Sequence, residues 1–226
     1  MKYLYVLFLG FNIGFCCAQE RSLKAQDSLY KEDQFYAGVT YNLVGKELNQ
    51  SGFSLGFHVG FIKDMPLNKN RNVAIGMGLG YSANAFNQNL FIDRNSSNFL
   101  EYSILTDRGT YSKNTFSTHS IEVPLEFRWR TSTASEYHFW RIYTGVKFGY
   151  MFGNRSNYQG DLGRITETNN SDFNPLQYGL TISAGYNTWN IHVYYGLNSI
   201  FTEDVKIDGE RLEISAIKLG LIFYIL

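Results

Sequence analysis

Cysteine, proline and long apolar runs are what this chain has least of. Its 226 residues include 2 cysteines and 3 prolines. Both cysteines, Cys16 and Cys17, sit in the opening segment. Once that segment is removed, no disulfide, thiolate metal site or cysteine nucleophile remains available. Past residue 18 no apolar run is long enough for a transmembrane helix. Entry into a membrane would therefore require a closed barrel, because an open sheet edge in lipid leaves backbone groups unpaired. A surplus of positive charge is also missing. Lys+Arg and Asp+Glu are balanced at 20 each, and loss of Lys2 would tip the balance to about −1. Nothing in this balance suggests nucleic-acid binding. No phosphate-binding loop or metal-ligand cluster is present. Asp161 and Glu167 lie in a polar loop without a partner that the sequence can place. His119 and Ser120 are adjacent on a strand and point to opposite faces, which argues against a joint catalytic role. The expectation is a chain that is not an enzyme, with no catalytic residues, no metal and no cofactor.

What is there begins with MKYLYVLFLGFNIGFCCAQE. Lys2 is a short positive region, residues 3–15 are apolar, and Cys16-Cys17-Ala18 offers small residues before a cut after Ala18. Residues 1–18 read as a secretory signal peptide. A lipoprotein signal ranks second because Phe15 suits a lipidated cysteine poorly, and a buried N-terminal helix ranks third. Residues 19–34, polar and charged, read as a leader on the periplasmic side. Residues 35–226 read as one domain.

That domain alternates. In 120–130, Ile121, Val123, Leu125, Phe127 and Trp129 share one face, while Glu122, Pro124, Glu126, Arg128 and Arg130 share the other. In 140–153, Trp140, Ile142, Val146, Phe148, Tyr150 and Phe152 oppose Arg141, Gly145, Lys147 and Gly149. Period two means strands with one apolar and one polar face. The same pattern recurs over 35–44, 52–63, 72–86, 176–187, 191–201 and 212–226. Strands of about ten residues suit a tilted bilayer crossing. The fold class expected is all-β: an eight-stranded antiparallel up-and-down transmembrane β-barrel. Pro124 lacks a ladder donor and should mark an irregularity. The apolar set of the last strand shifts phase after Ile214, which predicts a bulge near Ser215 and Ala216.

Connections alternate too. The short ones are 64–71, 131–139 and Thr188. The longer ones are 46–50, 87–118, 154–174 and 202–211. In outer-membrane barrels short turns face the periplasm and long loops face outward. Trp129, Trp140 and Trp189 all flank short turns, where a periplasmic aromatic girdle belongs. A soluble calyx would place the apolar face inside instead. The polar face here is rich in glycine, including Gly38, Gly56, Gly60, Gly76, Gly78, Gly80, Gly145 and Gly149. Glycine weakens a solvent-facing strand but fits a crowded interior, so the membrane barrel is the preferred reading and outer-membrane lipid the expected surrounding.

Inside such a barrel lies a charged cluster of Glu122, Glu126, Arg128, Arg130, Arg141, Lys147 and Lys218, with His58 and His192. Eight strands leave a space that side chains nearly fill. Buried charges must pair there, so each glutamate should meet a basic residue of a neighbouring strand. A satisfied polar core is favoured over an ion path.

The stretch HSIEVPLEFRWRTST, followed by FWRIYTGVKFGY, resembles the PorT family of Bacteroidota outer-membrane barrels. Glu122-x-Pro124, Arg128-Trp129-Arg130-Thr131-Ser132-Thr133 and Phe139-Trp140-Arg141 carry the resemblance over about 35 residues. It implies a role in protein secretion by the type IX secretion system, and in gliding where that occurs, with other secretion components as partners and no nucleic acid. Leu226 departs from the terminal aromatic common in such barrels, although Phe223 and Tyr224 lie close. The alternative is a structural or surface-interaction barrel whose long outer loops bind an external partner.

Overall fold

The computed structural model describes residues 33–45, 48–50, 52–131 and 139–225. The expected signal peptide and nearly all of the leader lie outside them. The strands are β1 (Gln34–Val44), β2 (Leu55–Pro66), β3 (Val73–Asn87), β4 (Leu90–Arg94), β5 (Leu100–Ile104), β6 (Tyr111–Arg130), β7 (Trp140–Gly160), β8 (Gly163–Thr168), β9 (Leu176–Tyr186), β10 (Trp189–Gly196), β11 (Lys206–Ile207), β12 (Glu210–Arg211) and β13 (Ala216–Ile225).

Eight of these close into a ring, β1-β2-β3-β6-β7-β9-β10-β13, with β13 returning to β1 and every neighbouring pair antiparallel. Each strand of the ring pairs with the next barrel strand in the chain, as an up-and-down barrel requires. The expected eight-stranded antiparallel barrel is the fold observed. The alternation has one cause on every strand: the residues at every second position face out and are large and apolar. Phe35, Phe57, Ile121, Tyr150, Ile182 and Ile191 are exposed, while their strand neighbours are buried. Trp140 and Tyr150 both stand on the outer face of β7. At about 3.4 Å per residue and a tilt of about 40°, the steps between them rise about 25 Å, the height of the apolar band of such barrels.

Interior glycines make room for large side chains. A Cβ at Gly60 would lie 2.6 Å from the Tyr36 ring, and one at Gly80 would overlap the Tyr36 hydroxyl. Tyr36 itself is buried in the inner cluster with Ile62, Tyr143, Ile222 and Tyr224.

Several details differ from the sequence reading, among them the span of β2, which covers Leu55–Pro66 rather than 52–63. First, 87–118 and 154–174 are not plain loops. β6 and β7 run 20 and 21 residues and stay paired to Tyr111 and Gly160, well past the lipid band. β8 adds a third strand to this extension, and β4 and β5 form their own hairpin. Second, no bulge occurs in β13. Its register with β1 and β10 is continuous, and Leu212, Ile214, Ala216 and Lys218 all turn inward. The apolar set changes because Leu212 and Ile214 pack into a cap at the outer end, not because the strand slips. Third, β10 stops at Gly196, so Phe201 is not part of it. Fourth, β1 starts one residue early, at Gln34, whose side chain is fully buried. At Pro124 the β3 ladder does lapse: the pairs Gly78–Pro124 and Leu79–Val123 are missing, and the register resumes unchanged on both sides.

Candidate functional site

The interior is built in tiers, each set by which inward positions the strands deliver. Nearest the short turns, β2 brings Asp64 and β6 brings Arg128 and Arg130, all fully buried. Asp64 takes both guanidinium groups: Arg130 Nη1 and Nη2 donate to its two oxygens at 3.1 and 2.8 Å, and Arg128 Nη1 donates at 3.0 Å. Arg128 Nη2 also donates to Gln34 Oε1 at 2.6 Å, and its Nε lies 3.3 Å from Glu126 Oε2. The Arg128 guanidinium covers the Tyr143 ring at 4.2 Å. Arg141 stands opposite Arg130 across the β6–β7 ladder and lies over the Phe139 ring at 4.5 Å. These are paired or ring-stacked cations of the kind a dry interior tolerates.

The middle tier centres on Glu122. Its Oε2 lies 3.2 Å from Lys147 Nζ and 3.4 Å from His58 Nδ1. His58 Nε2 reaches Thr40 Oγ1 at 3.2 Å, and His192 Nδ1 reaches Ser183 Oγ at 2.7 Å. Lys218 lies over the Tyr194 ring at 5.0 Å. Glu122 thus meets a base of the neighbouring strand, whereas Glu126 lies beside Arg128 of its own strand. The acceptor that holds two arginines is Asp64, which sequence reasoning assigned to a turn. Its signal was available: the inward series His58, Gly60, Ile62 reaches Asp64 two residues on.

The outer tier is apolar. Phe86, Leu90, Ile92, Phe116, Phe173, Ile200, Phe201, Leu212 and Ile214 form a buried cluster fed mostly by the external segments. Phe116 stacks on Phe86 at 4.8 Å, and Phe173 meets Phe201 at 4.5 Å. Polar bonds tie the segments over it. Tyr102 OH donates to Asp172 Oδ2 at 2.7 Å and accepts from Asn170 Nδ2 at 2.8 Å. Burial, more than the Asp172 carboxylate, pushes the Tyr102 phenol well above its usual pKa. Arg94 pairs with Glu167 at 2.9 Å, a partner for Glu167 that the sequence did not reveal. The cavity between polar interior and cap, lined by Asn84, Ser120, Gln177 and Lys218, measures about 30 Å³. That is room for about one water.

Outside the wall, Trp129, Trp140 and Trp189 stand at the short-turn end. Trp140 packs on Tyr186 at 5.4 Å and Trp189 on Phe223 at 4.7 Å. His119 faces outward and meets Tyr81 OH at 2.6 Å, whereas Ser120 is buried inward, so the two residues are on opposite sides of the wall. Among the described residues, no group of three or more His, Cys, Asp or Glu side chains could hold a metal ion.

Two solved structures of Ail, the attachment invasion locus protein of Yersinia pestis, are similar in fold, one of them in complex with the heparin analogue sucrose octasulfate. Identity is 12% and 11%, with TM-scores of 0.38 and 0.37, and each match covers 87% of this chain and 100% of the Ail chain. No curated protein matches this sequence. A family model described as the outer membrane protein beta-barrel domain matches residues 17–202. With most of its length inside that model and a closed ring that turns its apolar face outward, this chain belongs to the outer membrane protein beta-barrel domain family and resides in the outer membrane.

Proposed function

We infer that this barrel supports protein secretion by the type IX system as a non-catalytic accessory or assembly component, in the manner of the PorT-like barrels of Bacteroidota. The observation that carries this reading is the location of the PorT-like segment. Its described residues form the facing parts of β6 and β7, the two longest strands. Most of its described matching residues, 128–131 and 139–141, lie at one end of them, where Arg128, Arg130 and Arg141 fill the interior and Trp129 and Trp140 mark the wall. A barrel whose interior is packed with ion pairs and topped by an apolar cluster suits a scaffold better than a conduit. Its partners would then be other secretion components, met from the periplasmic side. The test is the extracellular proteome of a deletion strain. Retention of proteins bearing type IX export signals in the periplasm supports the reading, and unchanged export removes it.

One observation favours a second reading, a surface-interaction barrel. The external ends of β6 and β7, with β8 and the β4–β5 hairpin, form a paired and interlocked body. Replacing the tips of the β4–β5 and β7–β8 hairpins with short glycine turns should abolish a surface phenotype while the barrel still assembles. Under the secretion reading the same change leaves export intact.

A further inference from the structure

Above the lipid band the regular ladder between β10 and β13 lapses. β10 ends at Gly196 and β13 begins only at Ala216. Between them only scattered backbone bonds remain, such as Ile200 N–H to the Ile214 carbonyl at 2.7 Å, and side chains supplement them. Asn198 Oδ1 accepts from the Tyr178 N–H at 3.0 Å and its Nδ2 donates to the Leu176 carbonyl at 2.7 Å. Ser199 Oγ accepts from the N–H groups of Phe201 and Ile214, each at 3.2 Å. Ile200, Phe201 and Ile214 dive into the cap, and the outer surface sinks behind them. The result is a groove of about 720 Å³ on the outside of the barrel.

Its lining has two halves. The lower half is Leu176, Tyr178, Tyr195 and Leu197, all exposed and continuous with the lipid-facing rows of β9 and β10. Leu176 pairs across the ladder with Tyr150, at the upper edge of the apolar band. The upper half carries Thr202, Glu203, Arg211 and Glu213. Arg211 is held by both carboxylates, at 3.0 Å from Glu203 and 3.4 Å from Glu213.

We propose that this groove seats an outer-leaflet glycolipid with an uncharged sugar head. The lower half continues the membrane-facing surface, so what covers it is the proximal part of an acyl chain. Leaving those four side chains in water would forfeit the burial gain of about 25 cal/mol per Å² that the rows beneath them enjoy in lipid. The upper half chooses the head. Two carboxylates around one guanidinium leave the groove acidic, so a phosphate is repelled by charge. Sugar hydroxyls fit instead: they donate to Glu203 and Glu213 and accept from Thr202 and Arg211, and Tyr178 and Tyr195 offer flat apolar faces. The volume lies within the usual range for small-molecule sites, about 300–1,000 Å³.

The test uses the purified barrel in phosphatidylcholine nanodiscs doped with either diglucosyl diacylglycerol or phosphatidylglycerol of the same chains. Lipid retained on the released protein is counted by native mass spectrometry. One diglucosyl diacylglycerol per barrel should be retained, with phosphatidylglycerol retained roughly ten-fold less, a difference of about 1.4 kcal/mol. Glu213→Lys should reverse that preference by making the groove basic. Leu197→Gln should weaken retention of both lipids, and Phe53→Gln, on the far side of the rim, should leave retention unchanged. Each variant is first shown to be folded by its heat-modifiable gel mobility. Equal retention of the two lipids by the native barrel, an unchanged preference in Glu213→Lys, or equal effects of Leu197→Gln and Phe53→Gln would overturn the proposal and leave only ordinary annular lipid.

Discussion

The two ends of this barrel's interior solve the same packing problem with opposite chemistry. Toward the short turns the space is filled by Arg128, Arg130, Arg141, Asp64 and Glu126 among tyrosine rings. Toward the outside it is filled by phenylalanine, leucine and isoleucine. The difference follows from what each end is made of. The lower interior is enclosed by strands that turn most of their apolar residues to lipid, so apart from the cluster around Tyr36, Ile62 and Ile222 it is the polar face that turns inward, and its charges must find partners. The upper end lies above the lipid band. There the segments can fold over the mouth and form a small water-excluding core, as a soluble domain does. The lower tier is therefore held by pairing and the upper by burial, and the two should fail in different ways.

The largest effect should come from Asp64→Ala. It leaves Arg128 and Arg130 without their shared carboxylate in a sealed space, and breaking a buried pair costs about 3–5 kcal/mol. With two cations losing their shared carboxylate at once, although Arg128 keeps Gln34 and Glu126, the expected outcome is a barrel that fails to reach its heat-modifiable form in refolding assays, or unfolds at much lower urea. A Phe116→Ala variant should cost a comparable or smaller amount, about 3–5 kcal/mol, but locally. Its ring contacts Phe86, Phe173 and Phe201. The barrel strands should stay folded by gel mobility while backbone amides of β4, β5 and 169–174 exchange faster. If Phe116→Ala melts the whole barrel, the two ends are one cooperative unit and the contrast fails.

The same contrast explains which parts of the molecule were legible in the sequence. Inside the lipid band every second residue must be apolar, so strands, faces and the interior charges from Glu122 to Lys218 could be read from period two. Above the band both faces of β6 and β7 meet water or other loops. Ser112-Lys113-Asn114-Thr115 and Asn154-Arg155-Ser156-Asn157 carry no apolar rhythm, and the strand extensions were read as loops. The cap was illegible for the reverse reason. Its residues come singly from distant segments, and Leu212 and Ile214 imitate a lipid-facing strand while pointing inward. Asp64 was missed at the other end because Asp64-Met65-Pro66 resembles a turn, although β2 carries through it.

Within the polar interior sits the tyrosine packing around Tyr36, and there a smaller effect is expected. Gly80→Ala pushes a methyl group into the Tyr36 hydroxyl. Overpacking of this kind costs about 1–3 kcal/mol. That hydroxyl has no hydrogen-bond partner among the described side chains and backbone. Tyr36→Phe should thus be tolerated alone and should restore much of the stability of Gly80→Ala in the double variant, read as the midpoint of urea unfolding in vesicles. Absence of rescue would place the strain in the backbone, where the Val59 carbonyl lies 2.9 Å from the same added Cβ.

The smallest effect tests how firmly the external segments are tied to one another. Tyr102→Phe removes the donor to Asp172 and the acceptor for Asn170 while the ring keeps its contact with Phe201 at 6.0 Å. Loss of such bonds costs about 0.5–1.5 kcal/mol each, more where a partner is left buried without a replacement. Asn170 is buried, so its amide bears the larger share, whereas Asp172 is only partly covered and can turn to water. Barrel unfolding should be unchanged within error, and limited proteolysis on intact cells should cut the β4–β5 hairpin several-fold faster. Tyr102→Leu separates the two contributions: if apolar packing alone holds the hairpin down, it should resist protease as well as Tyr102→Phe, and if ring shape matters too, it should be cut faster still.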